Sequence, residues 1–193
     1  MSNRLKVVAV SGGLQRPSRT LVVVERVLAA LGDAVPVDTH LIELGEIAPG
    51  LAGAVRRAHV PADVEAHIEA IESADLLIAA SPVYRASYMG LFKHLFDLVH
   101  HEALFDVPVL LAATGGSDRH ALVIDHQLRP LFSFFQARTL PIGVYASEAD
   151  FSGYAISNPA LEERIQLAVS RALPWLHAGR LPASFPRAAT AAA

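Results

Sequence analysis

The residues best suited to chemistry lie in a loop at residues 11–20, which reads SGGLQRPSRT and follows the first apolar run of the chain. Its glycines let the backbone turn sharply, and Ser18 and Thr20 place hydroxyl groups at the start of a predicted helix. Arg16 and Arg19 add positive charge to the same loop. Because the first turn of a helix presents unpaired N–H groups, such a loop is suited to binding a phosphate group. A serine cap beside solvated arginines explains this loop equally well when it is considered alone.

Two further loops carry residues suited to a flat aromatic ligand. The loop at residues 81–87 reads SPVYRAS, in which Pro82 stiffens the chain and Tyr84 supplies an aromatic ring. The loop at residues 114–117 reads TGGS, and its two glycines allow a planar ring to approach the backbone closely. Each loop also has an ordinary structural explanation, since a tyrosine commonly packs beneath the next helix and TGGS suits a tight turn. The patterns G-x-x-x-x-G-K-S/T and G-x-G-x-x-G are absent, which argues against ATP, GTP or tightly bound NAD.

The composition narrows the chemistry further. The chain has 193 residues and a net charge of −3, and 52% of its residues are hydrophobic, which is typical of a folded domain with a substantial core. The absence of cysteine excludes disulfides, thiolate catalysis, zinc–thiolate sites and iron–sulfur clusters. The histidines show no metal-ligand spacing, and no run of basic residues indicates a nucleic-acid surface. No signal-peptide pattern or bilayer-spanning apolar stretch is present, so we expect a cytoplasmic protein with no metal, nucleic acid or membrane partner.

The elements that would position these loops alternate regularly along the chain. Short apolar runs predict five strands, at 5–10, 37–44, 75–80, 107–113 and 140–145, and helical periodicity predicts five helices, at 20–31, 62–73, 88–99, 118–136 and 159–176. This alternation predicts an α/β fold, a flavodoxin-like three-layer sandwich whose five-stranded parallel sheet has the order 2-1-3-4-5. The three loops follow strands one, three and four. We therefore expect them to meet at the carboxyl edge of the sheet, where the strand order reverses.

The chain is predicted to be one domain, residues 1–176, with a tail at residues 177–193 that is rich in Ala and Pro. We expect the tail to be flexible or to lie on a partner subunit. Residues 45–60 are expected to form a surface loop.

The predicted helix at residues 118–136 contains Pro130, whose ring lacks an N–H group and clashes with the carbonyl group of His126. We therefore expect a kink or a π-helical turn here, a feature that often marks functional sites. Asp125 and Arg129 are spaced to form an ion pair across one turn. The apolar positions of this helix exceed what one core face needs, which predicts packing against another subunit. These positions are Leu122, Leu128, Leu131, Phe132 and Phe135.

Three segments, SGGLQRPSRT, SPVYRASYMGLFKHLFDL and ATGGSDRHALVIDHQLRPLF, carry a resemblance to a known family. Over residues 7–175 the chain resembles the NAD(P)H-dependent FMN reductases of the flavodoxin-like superfamily, and especially their alkanesulfonate and methanesulfonate branch. The resemblance implies that FMN binds at the three loops and that NADH or NADPH transfers a hydride directly to flavin N5, with no catalytic side chain. It implies that reduced FMN passes to a partner monooxygenase. It further implies a homotetramer whose interface contains a π-helix bearing His126 and Pro130, a feature linked to FMN that leaves as a substrate.

The loops and the resemblance together predict the FMN-binding residues. Gln15 stands where many members of the family have an arginine on the phosphate, so Arg16 or Arg19 is expected to compensate. Arg16, Arg19 and Arg85 are also candidates for binding a 2′-phosphate, which leaves NADH and NADPH both open, with NADH favoured by the resemblance. The predicted set is Ser11, Gly13, Gln15, Arg16, Ser18, Arg19, Thr20, Pro82, Val83, Tyr84, Arg85, Thr114, Gly115, Gly116 and Ser117.

Three other functions are compatible with the sequence. The first is a quinone or azo-dye reductase that keeps FMN permanently bound. The second is a flavodoxin-like electron carrier, for which a net charge of −3 is too mild. The third is a binding protein for another phosphate-bearing ligand.

Overall fold

The structure is a computed structural model that describes residues 4–177. Its strands are β1 (Leu5–Ser11), β2 (Val37–Glu43), β3 (Leu76–Tyr84), β4 (Ser87–Tyr88), β5 (Pro108–Gly115), β6 (Arg138–Thr139), β7 (Val144–Ser147), β8 (Phe151–Ser152) and β9 (Ala155–Ile156). Its α-helices are α1 (Arg19–Ala34), α2 (Leu44–Ala52), α3 (Ala62–Glu72), α4 (Gly90–Asp97), α5 (Arg129–Phe134) and α6 (Pro159–His177). A π-helix spans Ile124–Leu128, and 3₁₀ turns span Arg57–His59, Asp118–His120 and Glu148–Asp150.

The centre of the main sheet is parallel and has the order β2-β1-β3-β5. The strand order reverses at β1, which pairs with β2 on one side and with β3 on the other. This order confirms a flavodoxin-like α/β fold. The sheet contains seven strands rather than the five predicted, because β4 folds back antiparallel on β3 and the outer edge of β5 is shared by β6 and β7.

The prediction of one continuous fifth strand at residues 140–145 was wrong. After β6 the N–H group of Leu140 still donates to the Val109 carbonyl oxygen of β5 at 2.8 Å, and strand pairing with β5 then stops until Val144, opposite Ala112. Pro141 lies in this gap and has no N–H group to donate to a neighbouring strand, which accounts for the interruption.

Two apolar cores cover the two faces of the sheet. Because successive strand residues point to opposite faces, Val8 and Val10 of β1 pack in one core with α2, α3 and α4. Val7 and Ala9 pack in the other core with α1 and α6. The result is the three-layer arrangement that the continuously apolar strands indicate.

The predicted helix at residues 118–136 is broken into a 3₁₀ turn, the π-helix and α5. The π-helix ends at Leu128, two residues before Pro130, where the proline predicts a distortion. The predicted pair is also present, since Asp125 accepts a hydrogen bond from Arg129 at 3.0 Å. The prediction that the apolar residues of this helix pack against another subunit was wrong for four of the five. Among the predicted positions only Leu122 is exposed, at 62%, while the others are buried in the core of the same chain, namely Leu128, Leu131, Phe132 and Phe135.

The prediction of a surface loop at residues 45–60 was wrong, because most of α2 and a 3₁₀ turn lie within these residues. The predicted tail lies outside the described residues except for His177, which ends α6. Among residues 4–177, none of the helices combines the length and apolarity that crossing a membrane requires.

Candidate active site

A cleft of about 700 Å³ opens at the carboxyl ends of β1, β3 and β5. The three predicted loops meet there, and a fourth segment, which begins in β7 and ends at Tyr154, closes the remaining side. The lining residues are Gly13, Leu14, Gln15, Pro17, Ser18, Arg19, Thr20, Pro82, Val83, Tyr84, Met89, Thr114, Gly115, Gly116, Ala146, Ser147, Glu148, Phe151 and Tyr154.

Most of the predicted binding residues line this cleft, but four do not. Ser11 is buried within β1. The side chain of Arg16 pairs with the carboxylate of Glu43, the last residue of β2. Arg85 lies over the ring of Tyr84, with 5.4 Å between the guanidinium carbon and the ring centroid. Ser117 ends the third loop, where its carbonyl oxygen accepts a hydrogen bond from Tyr145.

Hydroxyl groups cluster at one end of the cleft, where the start of α1 meets the end of β5. Ser18 caps α1, where its Oγ accepts a hydrogen bond from the N–H group of Leu21 at 3.2 Å, and its own proton stays available. Thr20 Oγ1 and Thr114 Oγ1 lie 2.7 Å apart and are both buried. Their mutual hydrogen bond uses one of two hydroxyl protons, so this pair retains one donor for a ligand.

Gly13 is required by the same arrangement. A Cβ atom at this position would lie 2.7 Å from Ser18 Oγ, which would have to leave its capping position. The glycine therefore lets the loop fold tightly against the start of α1 and keeps the hydroxyl end of the cleft intact.

Both arginines of this loop form ion pairs with glutamates. Arg16 makes two hydrogen bonds to the Glu43 carboxylate, and these bonds raise the pKa of the guanidinium above its ordinary value. Arg19 pairs with Glu148, with 2.6 Å between Nη1 and Oε1. The positive charge expected at the loop is therefore offset by two carboxylates from elsewhere in the chain.

The second loop is a β-hairpin with a two-residue turn that contains no glycine. Arg85 and Ala86 both have positive φ angles, 50° and 71°, which is uncommon for residues with a side chain and usually needs support from surrounding structure. Ser87 provides part of that support by donating a hydrogen bond from its Oγ to Gln127 Oε1 of the π-helix at 3.2 Å. The hairpin holds Tyr84 in the cleft wall with 56% of the residue exposed. His126 of the same π-helix is exposed and does not line the cleft.

The third loop packs against a tyrosine from β7. Tyr145 donates a hydrogen bond from its hydroxyl group to the carbonyl oxygen of Ser117 at 2.6 Å, and the phenol lies directly over Gly115. Burial, together with the negative charges of Asp118 and Asp150, raises the pKa of Tyr145, so this donor stays protonated at neutral pH. Gly116, in contrast, has no heavy atom within 4 Å of where a Cβ would stand, so the backbone here is open to the cleft.

The fourth wall of the cleft was missed by sequence reasoning. It consists of Ser147, a 3₁₀ turn at Glu148–Asp150 and the hairpin of β8 and β9. Its local signal is the S-x-x-D spacing of a capping box, in which Asp150 accepts hydrogen bonds from the N–H and hydroxyl groups of Ser147. The two-residue strands that follow are too short to produce a detectable period.

A parallel sheet of this order, with a hydroxyl-rich helix start and a wide cleft at its carboxyl edge, defines a flavodoxin-like protein built to hold a nucleotide. Residues 5–151 match the profile of the NADPH-dependent FMN reductases, and the chain belongs to this family of oxidoreductases.

Two curated relatives are similar over nearly the whole chain. The chain is 64% identical to the NADH-dependent FMN reductase SfnF of Pseudomonas fluorescens, covering 90% of this chain and 93% of the relative. It is 61% identical to the FMN reductase (NADPH) of Pseudomonas aeruginosa, covering 93% and 96%. Among solved structures, an oxidoreductase from Corynebacterium diphtheriae superposes with a TM-score of 0.82 at 33% identity, covering 92% of this chain and 99% of that one. These similarities confirm the resemblance found in the three sequence segments.

Proposed function

We propose that this chain binds FMN in the 700 Å³ cleft and reduces it with NADH or NADPH. The observation that carries the proposal is the layout of the cleft, which has hydroxyl donors at one end and an open backbone with an aromatic wall at the other. A flavin phosphate fits the first end, near Ser18 and Thr20, and an isoalloxazine ring fits the second, near Tyr84 and Gly116. The name of the family and the names of the relatives support the same flavin and the same reductants.

The protein's part in this reaction is positioning. FMN supplies the hydride-accepting N5 atom when it is bound. The Thr20–Thr114 pair and the Ser18 hydroxyl would hold the phosphate, together with backbone N–H groups of the first turn of α1 that the Ser18 cap does not occupy. The Tyr145 hydroxyl anchors the TGGS turn through Ser117, and the open backbone at Gly116 would face the flavin ring. No side chain needs to take or give a proton for the hydride to move, so positioning is all that this proposal asks of the protein.

The reduced flavin would then leave for a flavin-dependent monooxygenase. The names SfnF and SfnE of the NADH-dependent relatives, together with the sulfonate-branch resemblance, support this destination. The π-helix before Pro130 supports the proposal that FMN is a substrate that leaves after reduction. We expect the reaction to occur in the cytoplasm, where the nicotinamide cofactors circulate.

We further propose that the chain works as a homotetramer. Exposed residues recur at intervals of four from the turn before the π-helix to the end of α5, and we infer that this row packs against another copy. The row consists of Leu122, His126, Pro130 and Phe134, of which Leu122 is 62% exposed and Phe134 68% exposed.

Stopped-flow mixing of the protein with FMN and each nicotinamide tests the reductase. Rapid bleaching of the flavin absorbance supports the proposal, and the faster of NADH and NADPH identifies the physiological reductant. No bleaching with either one overturns it. A sizing column run with and without flavin separates the alternatives, because a quinone or azo-dye reductase would elute yellow with FMN retained, whereas a reductase of exchangeable FMN would elute colourless. The same column gives the mass of the oligomer.

A further inference from the structure

The two arginines of the loop at residues 11–20 are both neutralised by glutamates. Arg16 pairs with Glu43 at the end of β2, and Arg19 pairs with Glu148 in the fourth wall. Among the described residues that line the cleft, Arg19 is the sole lysine or arginine and Glu148 is the sole carboxylate. The cleft therefore presents one cation and one anion side by side instead of a net positive charge.

Arg19 is held in place by more than its ion pair. Its Nε donates a hydrogen bond to the carbonyl oxygen of Gly153 at 3.2 Å. Its guanidinium carbon lies 5.8 Å from the ring centroid of Phe151 and 5.5 Å from that of Tyr154. These contacts fix the guanidinium against the hairpin of β8 and β9, with its charge directed at Glu148.

We propose that Glu148 weakens the hold of the cleft on the FMN phosphate by neutralising Arg19, and thereby sets how readily flavin leaves. The inference rests on the proposed function, since it assigns a role to a residue of the same cleft. A phosphate bound beside Ser18 and Thr20 receives neutral hydrogen bonds, which are roughly half as strong as charge-assisted ones. The Glu148 carboxylate also repels the phosphate dianion. Both effects lower the affinity for FMN and leave flavins without a phosphate unaffected.

The substitution Glu148→Gln tests this role because it removes the charge and preserves the shape. We expect the Kd for FMN, measured by quenching of flavin fluorescence at low salt, to fall about five- to twentyfold. The Kd for riboflavin, which has no phosphate, stays within about twofold. The dissociation rate of FMN falls in parallel. Glu163→Gln is the matched control, because Glu163 is exposed on α6 and does not line the cleft. The affinity of this variant for FMN should equal that of the wild type.

A double variant separates neutralisation of Arg19 from general loosening of the wall. In the double variant Arg19→Met/Glu148→Gln, no arginine remains for the loss of Glu148 to release. Its affinity for FMN should therefore exceed that of Arg19→Met only by the factor that comes from removing the repulsion between Glu148 and the phosphate. The inference is overturned if Glu148→Gln leaves FMN affinity unchanged or weakens it, if riboflavin gains as much as FMN, or if the full gain persists in the double variant. A wild-type chain that binds neither flavin overturns the proposed function itself, and this inference with it.

Discussion

The contact between Gly115 and Tyr145 leads to a prediction about stability that can be worked out from the structure. A Cβ at Gly115 would lie well inside 3.0 Å of the Tyr145 hydroxyl oxygen, while the ring carbon Cζ behind it would be 3.3 Å away. Gly115→Ala must therefore push the phenol aside and break its hydrogen bond to Ser117. Overpacking costs about 1–3 kcal/mol and the lost hydrogen bond about 1 kcal/mol, so the free energy of unfolding should fall by about 2–4 kcal/mol.

The double variant Gly115→Ala/Tyr145→Phe should recover part of this loss. Removing the hydroxyl group leaves the 3.3 Å contact with Cζ, which a small shift relieves. Tyr145→Phe alone should cost about 1 kcal/mol for the hydrogen bond to Ser117. We therefore expect the double variant to be more stable than Gly115→Ala, with a coupling of at least about 1 kcal/mol.

Urea denaturation followed by circular dichroism measures these free energies, provided that the m-value stays constant. Gly116→Ala is the matched control, because a Cβ there has no heavy atom within 4 Å, and its stability should be within about 0.5 kcal/mol of the wild type. If Gly115→Ala were as stable as Gly116→Ala, or if Tyr145→Phe failed to rescue it, the hydroxyl group would not be the element that demands a glycine.

Two further predictions concern stability away from the cleft. Arg57 donates hydrogen bonds to both Glu65 and Glu72, so Arg57→Met takes this partner from Glu65 and leaves Glu72 with the hydrogen bond from the His100 N–H group. The free energy of unfolding should fall by about 1–2 kcal/mol in urea titrations. A loss under about 0.5 kcal/mol would contradict this. His40 Nε2 lies 2.8 Å from His67 Nδ1, and burial followed by the charges of His67 and Lys6 lowers the pKa of His40 below 6.5. The unfolded chain then binds the proton more readily, so stability should decrease as the pH falls below about 6.5, and His40→Gln should flatten that decrease in thermal melts.

The central strands were predictable because a sheet covered on both faces needs uninterrupted apolar runs. The segment DLLIAA at residues 75–80, for example, enters β3 at Leu76, and this strand is buried along most of its length. The helix α2 was missed because it contains Pro49 and two glycines, which are typical of loops. The fifth strand was misplaced because Pro141 interrupts pairing inside an apolar segment that otherwise resembles one strand.

The candidate cleft was predictable only in part, and the reason lies in sequence separation. The three loops follow strands whose carboxyl ends must meet, so the topology alone brings them together. The partners of Arg16 and Arg19 are 27 and 129 residues away, and no local pattern links either arginine to its glutamate. The side chains that decide the charge of the cleft are therefore known only once the chain is folded.

The long separation between Arg19 and its hairpin has a consequence for biosynthesis. The loop at residues 11–20 leaves the ribosome early, but the wall that closes over it is separated from Arg19 by 129 residues at Glu148 and 134 at Gly153. At about 5–20 residues per second, about 6 to 27 seconds pass before the two can meet. The first loop therefore emerges without its fourth wall, and the complete cleft can hold flavin only after the hairpin has followed.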